Sequence, residues 1–263
     1  MRENALRWDG RPGWYEVWYL IVAGRFWLRY TLHVPADPAE EGEVALWVAS
    51  FDGPPTVRKE TFPLDAFRTT GTGWPVELGP ASLADGRATG PGFELELRAL
   101  APPADPLPRS VRRLARTRVL LAQPVLELSG TIDGVELDRA LGTQAHVFGT
   151  RHAERFAWAH AGAADGRYVE LLTAKAKGLP ELSFCEGRFV RATVEPCTWR
   201  IGGYRVEADP ADFLGVTYRD PDGTPLYCYH AERARLFWPG RGTVEAAFEV
   251  ATRAKLPGWT VSL

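Results

Sequence analysis

Alternation of apolar and polar side chains dominates the start of the chain. In WYEVWYLIVAGRFWLRYTLHVP, two β-rich runs are split by Ala23 and Gly24, a pattern that predicts a hairpin. Trp14, Glu16, Trp18 and Leu20 share one parity of the first run, and Tyr15, Val17, Tyr19 and Ile21 share the other. Rings on both parities predict a strand covered on both faces. After the turn, Arg25, Trp27, Arg29, Thr31 and His33 alternate with Phe26, Leu28, Tyr30, Leu32 and Val34, giving one polar and one apolar face. Further short runs follow, among them EVALWVASF, FELELRAL, RFAWAHA, RYVELLTAKA and PLYCYHAERARLFW, separated by turn clusters such as FDGPP and RDPDGTP. Many short strands with frequent turns predict an all-β sandwich or barrel architecture. Regular strand-helix alternation is absent, which argues against a Rossmann or TIM arrangement.

The segment APPADPLPRSVRRLARTRVLLAQP breaks this rhythm. Its prolines suit a connection rather than a central strand, because proline lacks the ladder donor. The expected organisation is therefore an N-terminal β-barrel over 1–108, a basic crossover over 109–124 and a C-terminal β-barrel over 125–263. Arg109, Arg112, Arg113, Arg116 and Arg118 make the crossover basic. A short helix or solvated connection explains them; weak contact with an anionic membrane surface is the alternative. No residue-level repeat relates the two halves. HAER occurs twice, at His152 and at His230, but both copies lie in the second half.

Composition adds limits. A chain of 263 residues with 45% hydrophobic content can bury one large core or two of ordinary size. A net charge of -2 gives no electrostatic footprint for nucleic acid. Cys185, Cys197 and Cys228 are isolated, with no CxxC pair, so neither a disulfide framework nor a zinc knuckle is predicted and free thiols are expected. The N-terminus lacks an apolar leader and no run of 18 apolar residues occurs, so the expected location is cytoplasmic. The 10 Trp, 8 Tyr and 12 Phe either fill a sheet-on-sheet core or line a pocket for a large apolar ligand.

Candidate chemistry concentrates in GTQAHVFGTRHAERFAWAHA, which holds three of the 5 histidines. Read as a hairpin, Gln144, His146 and Phe148 share one face of its first strand. His152, Glu154, Phe156, Trp158 and His160 share a face of the second, opposite Ala153, Arg155, Ala157 and Ala159. The alanine face would pack on a neighbouring layer while the other face looks into a lumen. A helix would instead place His152, Phe156 and His160 at i, i+4 and i+8, but the run is short and its surroundings β-rich. HExxH spacing is missing, so no metal is predicted. No GxSxG motif signals a serine nucleophile. Acid-base work by His152 and Glu154 is better motivated, since an apolar pocket raises a carboxyl pKa. Hydrogen-bonded core histidines are the competing explanation. In the second HAER, Tyr227 and Tyr229 share one parity and Cys228, His230 and Glu232 the other, a possible facing wall.

YEVWYLIVAGRFWLRYTLHVP, ALWVASFDG, SGTIDG and GTQAHVFGTRHAERFAWAH, in that order, resemble the lipocalin-like superfamily of hydroxyneurosporene synthase, tocopherol cyclase and AttH-type proteins. The resemblance runs from the start of the chain to Ala161 and is nearest to that superfamily's uncharacterised bacterial branch. It implies two calycin-like antiparallel β-barrels in tandem and a large isoprenoid, carotenoid or lipid-like ligand, with no metal or redox cofactor. In the named enzymes it implies protonation of an isolated double bond, followed by water addition or ring closure. The family pattern approximates GHNWGxxHAxxxAW. This chain keeps His146, Gly149, His152, Ala153, Ala157 and Trp158, but has Val147 where Asn is usual and Phe148 where Trp is usual. Loss of the polar Asn weighs against hydratase catalysis and leaves ligand binding intact. The expectation is thus a non-catalytic binding protein or carrier, with Trp18, Trp27, Trp47, Phe156, Trp158, Tyr229 and His230 lining an aromatic cavity. The alternative is an acid-catalysed isoprenoid hydratase or cyclase. There Glu154 or His152 would donate the proton, His146 or His160 would orient it or take one from water, and Phe156 and Trp158 would face the carbocation.

Overall fold

The computed structural model describes residues 2–113 and 115–263. Its first eleven strands are β1 (Trp14–Val22), β2 (Phe26–Val34), β3 (Glu43–Ser50), β4 (Thr56–Pro63), β5 (Phe67–Thr69), β6 (Val76–Leu78), β7 (Ala81–Ala84), β8 (Arg87–Gly90), β9 (Phe93–Ala99), β10 (Thr117–Ile132) and β11 (Val135–Gly149). They form one sheet in the order β4-β3-β2-β1-β11-β10-β9-β8-β7-β6-β5. The remaining strands are β12 (Arg155–Gly162), β13 (Tyr168–Lys175), β14 (Glu181–Cys185), β15 (Arg188–Val190), β16 (Ala192–Glu195), β17 (Thr198–Ile201), β18 (Tyr204–Glu207), β19 (Leu214–Arg219), β20 (Pro225–Trp238) and β21 (Gly242–Thr252). Their order is β15-β14-β13-β12-β21-β20-β18-β17-β16, with β19 also paired to β20.

Each sheet curls into a nearly closed antiparallel barrel, so the all-β class is as the turn-rich pattern predicts and the two barrels in tandem are as expected. The two barrels also share a path. Each begins with a four-strand meander, passes to the opposite edge, and returns until its last strand pairs with its first. The edge strands are therefore consecutive in sequence. A short turn over Leu64–Ala66 separates β4 from β5, and Arg191 separates β15 from β16.

Glycine at 24 lets the chain reverse between β1 and β2, where φ is 72°. As both parities of β1 carry rings, both faces are covered. Trp18, Leu20 and Val22 enter the first barrel's core with Phe26, Leu28 and Tyr30 of β2. Tyr19 and Ile21 turn outwards and pack, with Trp27, Trp47 and Phe51, against Trp158, Leu214, Val216 and Leu226 of the second barrel. The polar face of β2 is thus not solvated: it is one wall of the contact between barrels. The second barrel has its own core around Val169, Trp199, Leu236 and Phe248.

Three expectations are corrected. First, β10 and β11 pair with β9 and β1, so the change of sheet falls between Gly149 and Arg155 and not within 109–124. The crossover holds a one-turn helix, α1 (Arg109–Arg112), and β10 begins within it at Thr117. Pro124 lies inside β10, where register shifts on either side relieve it of ladder pairing. Second, the histidine stretch is no hairpin. Its first strand ends β11 and its second, β12, opens the other sheet, with His152 and Glu154 in the connection. Third, the faces of β12 are exchanged. Ala157, Ala159 and Ala161 line the second barrel's core, where Trp199 and Phe248 leave room only for methyl groups, while Phe156 and Trp158 face the first barrel. Among the described residues, no helix is long and apolar enough to cross a membrane.

Candidate functional site

The contact between barrels gathers most of the aromatic residues singled out from the sequence. Trp27, Trp47, Phe156 and Trp158 belong to one packed cluster, and His230 lies 5.4 Å from the Trp27 ring. Trp18 and Tyr229 do not join them. Trp18 is enclosed in the first barrel and stacks 4.9 Å from His146, and Tyr229 packs against Trp259 while its hydroxyl accepts from Leu256 N.

At the centre of this contact is Arg29. Its guanidinium lies 4.8 Å from the Trp27 ring centroid and 4.9 Å from that of Tyr218, and pairs with Glu249 Oε2 at 3.3 Å. Burial opposes the charge, but Tyr218 and Glu249 more than offset it and the cation is retained. Burial, reinforced by Arg29, holds His230 well below the usual imidazole range. Glu232 is 1% exposed, and its Oε2 has no hydrogen-bond partner among the described residues. Burial pushes its carboxyl up to about 8, against the pull of Arg29 and with the repulsion of Glu249 and Glu245. The neutral acid sought at Glu154 is therefore found in the second HAER. Glu154 itself, its side chain 31% exposed, faces Arg151 at 3.3 Å in the connection between barrels.

The three clustered histidines are kept apart, each with its own carboxylate. His146 Nε2 meets Glu16 Oε1 at 2.7 Å and its Nδ1 meets the Glu3 carbonyl at 2.7 Å. Glu16 also accepts from Arg7 N, Trp8 N and Trp14 Nε1, so this pair pins the N-terminal segment to the barrel. His160 lies between Glu170 Oε2 and the Pro124 carbonyl, both at 2.8 Å. The carbonyl that the β10 irregularity frees from the ladder is thus taken up by the second barrel. Both rings face only acceptors, which leaves neither a free nitrogen for a ligand. His152 stacks 4.0 Å from Tyr15 and meets Asp220 Oδ1 at 2.6 Å. Among the described residues, no group of three or more His, Cys, Asp or Glu converges as a metal site. All three cysteines are free, with Cys185 and Cys228 buried.

Open space lies elsewhere, at the seams. In the first barrel the seam is filled: Phe62, Leu64, Ala66 and Phe67 pack on the core, and Phe67 stacks 6.1 Å from Trp18. In the second, β15 and β16 do not pair with each other, and a hollow of about 930 Å³ runs along them. Val190, Ala192 and Ile201, at the margin of the barrel core, form part of its lining. Phe189, 56% exposed, and Phe237, 45% exposed, stand in its wall beside Arg191, Arg200 and Arg205. A smaller hollow of about 580 Å³ lies by the 238–241 turn, where Arg241 covers Trp238 and pairs with Asp165. The seam of the second barrel is the candidate site. Sequence reading missed it, although one signal was present: Phe237 shares the parity of the charged Arg235, which sets a ring on a solvent face.

No protein-family model matches the chain. Two proteins of Mycobacterium tuberculosis, one from each of two strains and both described as uncharacterised, are 29% identical to it over 271 residues, spanning 87% of this chain and 82% of theirs.

Proposed function

We propose that this chain is a non-catalytic binding protein for an apolar small molecule of isoprenoid or lipid-like chemistry, held at the open seam of the second barrel. One observation carries the reading: a hollow of about 930 Å³ opens onto the edge of a barrel core and exposes Phe189 and Phe237. That volume falls within the roughly 300–1,000 Å³ usual for small-molecule sites. Exposed rings cost free energy in water that an apolar ligand would recover by covering them. The aromatic residues named from the sequence do not supply this space: Trp27, Trp47, Phe156 and Trp158 are packed together between the barrels, Trp18 is enclosed in the first barrel and Tyr229 packs on Trp259. Native mass spectrometry of the purified chain tests the reading: a non-covalent apolar adduct that disappears in Phe189→Ser/Phe237→Ser supports it. A chain that carries no adduct and takes up neither farnesol nor dodecanol refutes it.

Acid-catalysed hydration or cyclisation of an isoprenoid is the second reading, and Glu232 favours it. Its carboxyl, raised to about 8, holds a proton at neutral pH in a buried position within the field of Arg29 and Glu249. The donor would then be Glu232 in place of Glu154. A water adduct or cyclic isomer of geranylgeraniol formed by the wild type and not by Glu232→Gln supports this chemistry, and equal yields from both remove it.

A further inference from the structure

The lining of the seam is charged as well as apolar, and its charges are unbalanced. Glu181 is the acidic residue in the lining, and its carboxylate is taken by Arg155, which is not part of the lining. Arg205 is matched by Glu207 at 3.2 Å. Arg191 and Arg200 are exposed, and neither has an ion-pair or hydrogen-bond partner for its guanidinium among the described residues. Two unmatched guanidinium groups thus share one hollow with Phe189 and Phe237, two of the four large hydrophobic side chains exposed among the described residues. Elsewhere on the second barrel, Arg155 is matched by Glu181, Arg233 by Asp212 and Arg241 by Asp165, and none of these three stands beside Phe189 and Phe237 in the hollow.

We propose that the seam recognises an anionic amphiphile, a single molecule whose acyl or prenyl chain covers Phe189 and Phe237 while its carboxylate or phosphate is held by Arg191 and Arg200. This deepens the binding reading above and rests on it. The geometry suits the chemistry. Arg191 bridges the two unpaired edge strands and Arg200 lies on the neighbouring β17, so both belong to the rim of the same opening. A guanidinium offers a planar fork that matches carboxylate or phosphate oxygens in pairs. The apolar edge of the barrel core, at Val190 and Ile201, lies in the same hollow and receives the chain. Neutral alcohols or hydrocarbons would cover the rings but leave both cations without a counter-ion.

Calorimetric titration of the intact chain with dodecanoate and dodecanol, both below their aggregation limits, tests this. Dodecanoate is expected to bind about tenfold more tightly, the scale set by one or two exposed charge-assisted contacts, and to lose that advantage in high salt. Arg191→Gln/Arg200→Gln is expected to bring dodecanoate to the affinity of dodecanol and to abolish the salt dependence. Both side chains are exposed, so the fold is kept, and unchanged near-ultraviolet dichroism verifies this. Arg87→Gln/Arg98→Gln in the first barrel, with the same charge change, is expected to keep the preference. Equal, salt-independent binding of both ligands by the wild type, weakened alike by Phe189→Ser, overturns the head-group proposal and leaves apolar binding standing. If neither ligand binds, the underlying reading falls and this one falls with it. Binding to phosphatidylglycerol vesicles without binding of monomeric dodecanoate also overturns it, because the surface would then be a membrane contact.

Discussion

Arg29 of the first barrel and Glu249 of the second form an ion pair across the contact between them, with Nη2 and Oε2 3.3 Å apart. Both side chains are nearly enclosed, at 13% and 10% exposure, so each has exchanged water for the other. Removing one partner of such a pair strands a buried charge, whereas replacing both with apolar groups avoids the desolvation cost. Arg29→Met is therefore expected to destabilise the chain by about 3–5 kcal/mol. Arg29→Met/Glu249→Leu is expected to recover most of that loss. Urea unfolding of the two singles and the double checks it: a double mutant as unstable as the sum of the singles contradicts a closed pair.

Glu232 should govern the alkaline side of the stability profile. Its carboxyl titrates near 8 in the folded chain, against an ordinary value of 4.5. The unfolded chain releases this proton first, so the neutral acid's contribution is complete below 4.5 and is lost as pH rises towards 8. Glu232→Gln keeps the shape and cannot ionise. Urea midpoints between pH 5 and 9 are expected to decline less steeply in this variant than in the wild type, leaving it the more stable of the two at the upper end. Parallel profiles would show that Glu232 ionises freely in the fold.

Much of the architecture is legible in alternation, and its failures have physical causes. Rings on both parities of β1 correctly signal two covered faces, because neither Trp18 nor Tyr19 has reason to stay in water. Arg29, by contrast, reads only as one residue of a polar face, since nothing local in RFWLRYTLHV announces the Glu249 that receives it from far along the chain. The prolines before β10 read as a linker between barrels, whereas the chain stays in the first sheet and β10 tolerates Pro124 at an irregularity. The repeated path of the two barrels is carried by strand pairing alone and leaves no residue pattern behind. For the histidines, period-2 reading gave Phe156, Trp158 and His160 a common face correctly. Which barrel that face meets depends on Trp199 and Phe248 filling the other side.

The connection between barrels is expected to loosen in acid. Asp220 is buried, which by itself would raise its pKa, yet hydrogen bonds from His152 and the charge of Arg253 hold the carboxyl below its ordinary value of 3.8. A lowered carboxyl stabilises the fold above 3.8, and that contribution disappears as pH falls through the lower folded value. Asp220→Asn is expected to cost about 2 kcal/mol at neutral pH, the scale of hydrogen bonds to charged groups. The gap between variant and wild type should narrow below pH 3.8. A gap that stays constant through this range would mean that Asp220 acts through shape alone.

His160 separates a structural from a catalytic account of the histidines. Its two nitrogens connect Glu170 of the second barrel to the Pro124 carbonyl of the first, and Glu170 also accepts from Trp158 Nε1 at 2.6 Å. His160→Phe conserves the ring but leaves a buried carboxylate and a buried carbonyl short of donors, at about 1–3 kcal/mol for each neutral group and more for the charged one. The expected outcome is a lowered urea midpoint with altered near-ultraviolet dichroism of Trp158. At the same time, binding of dodecanoate at the distant seam should persist wherever the variant is folded. If His160→Phe left stability unchanged but abolished turnover of an isoprenoid, the ring would have to be acting on a ligand and not as a clasp between the barrels.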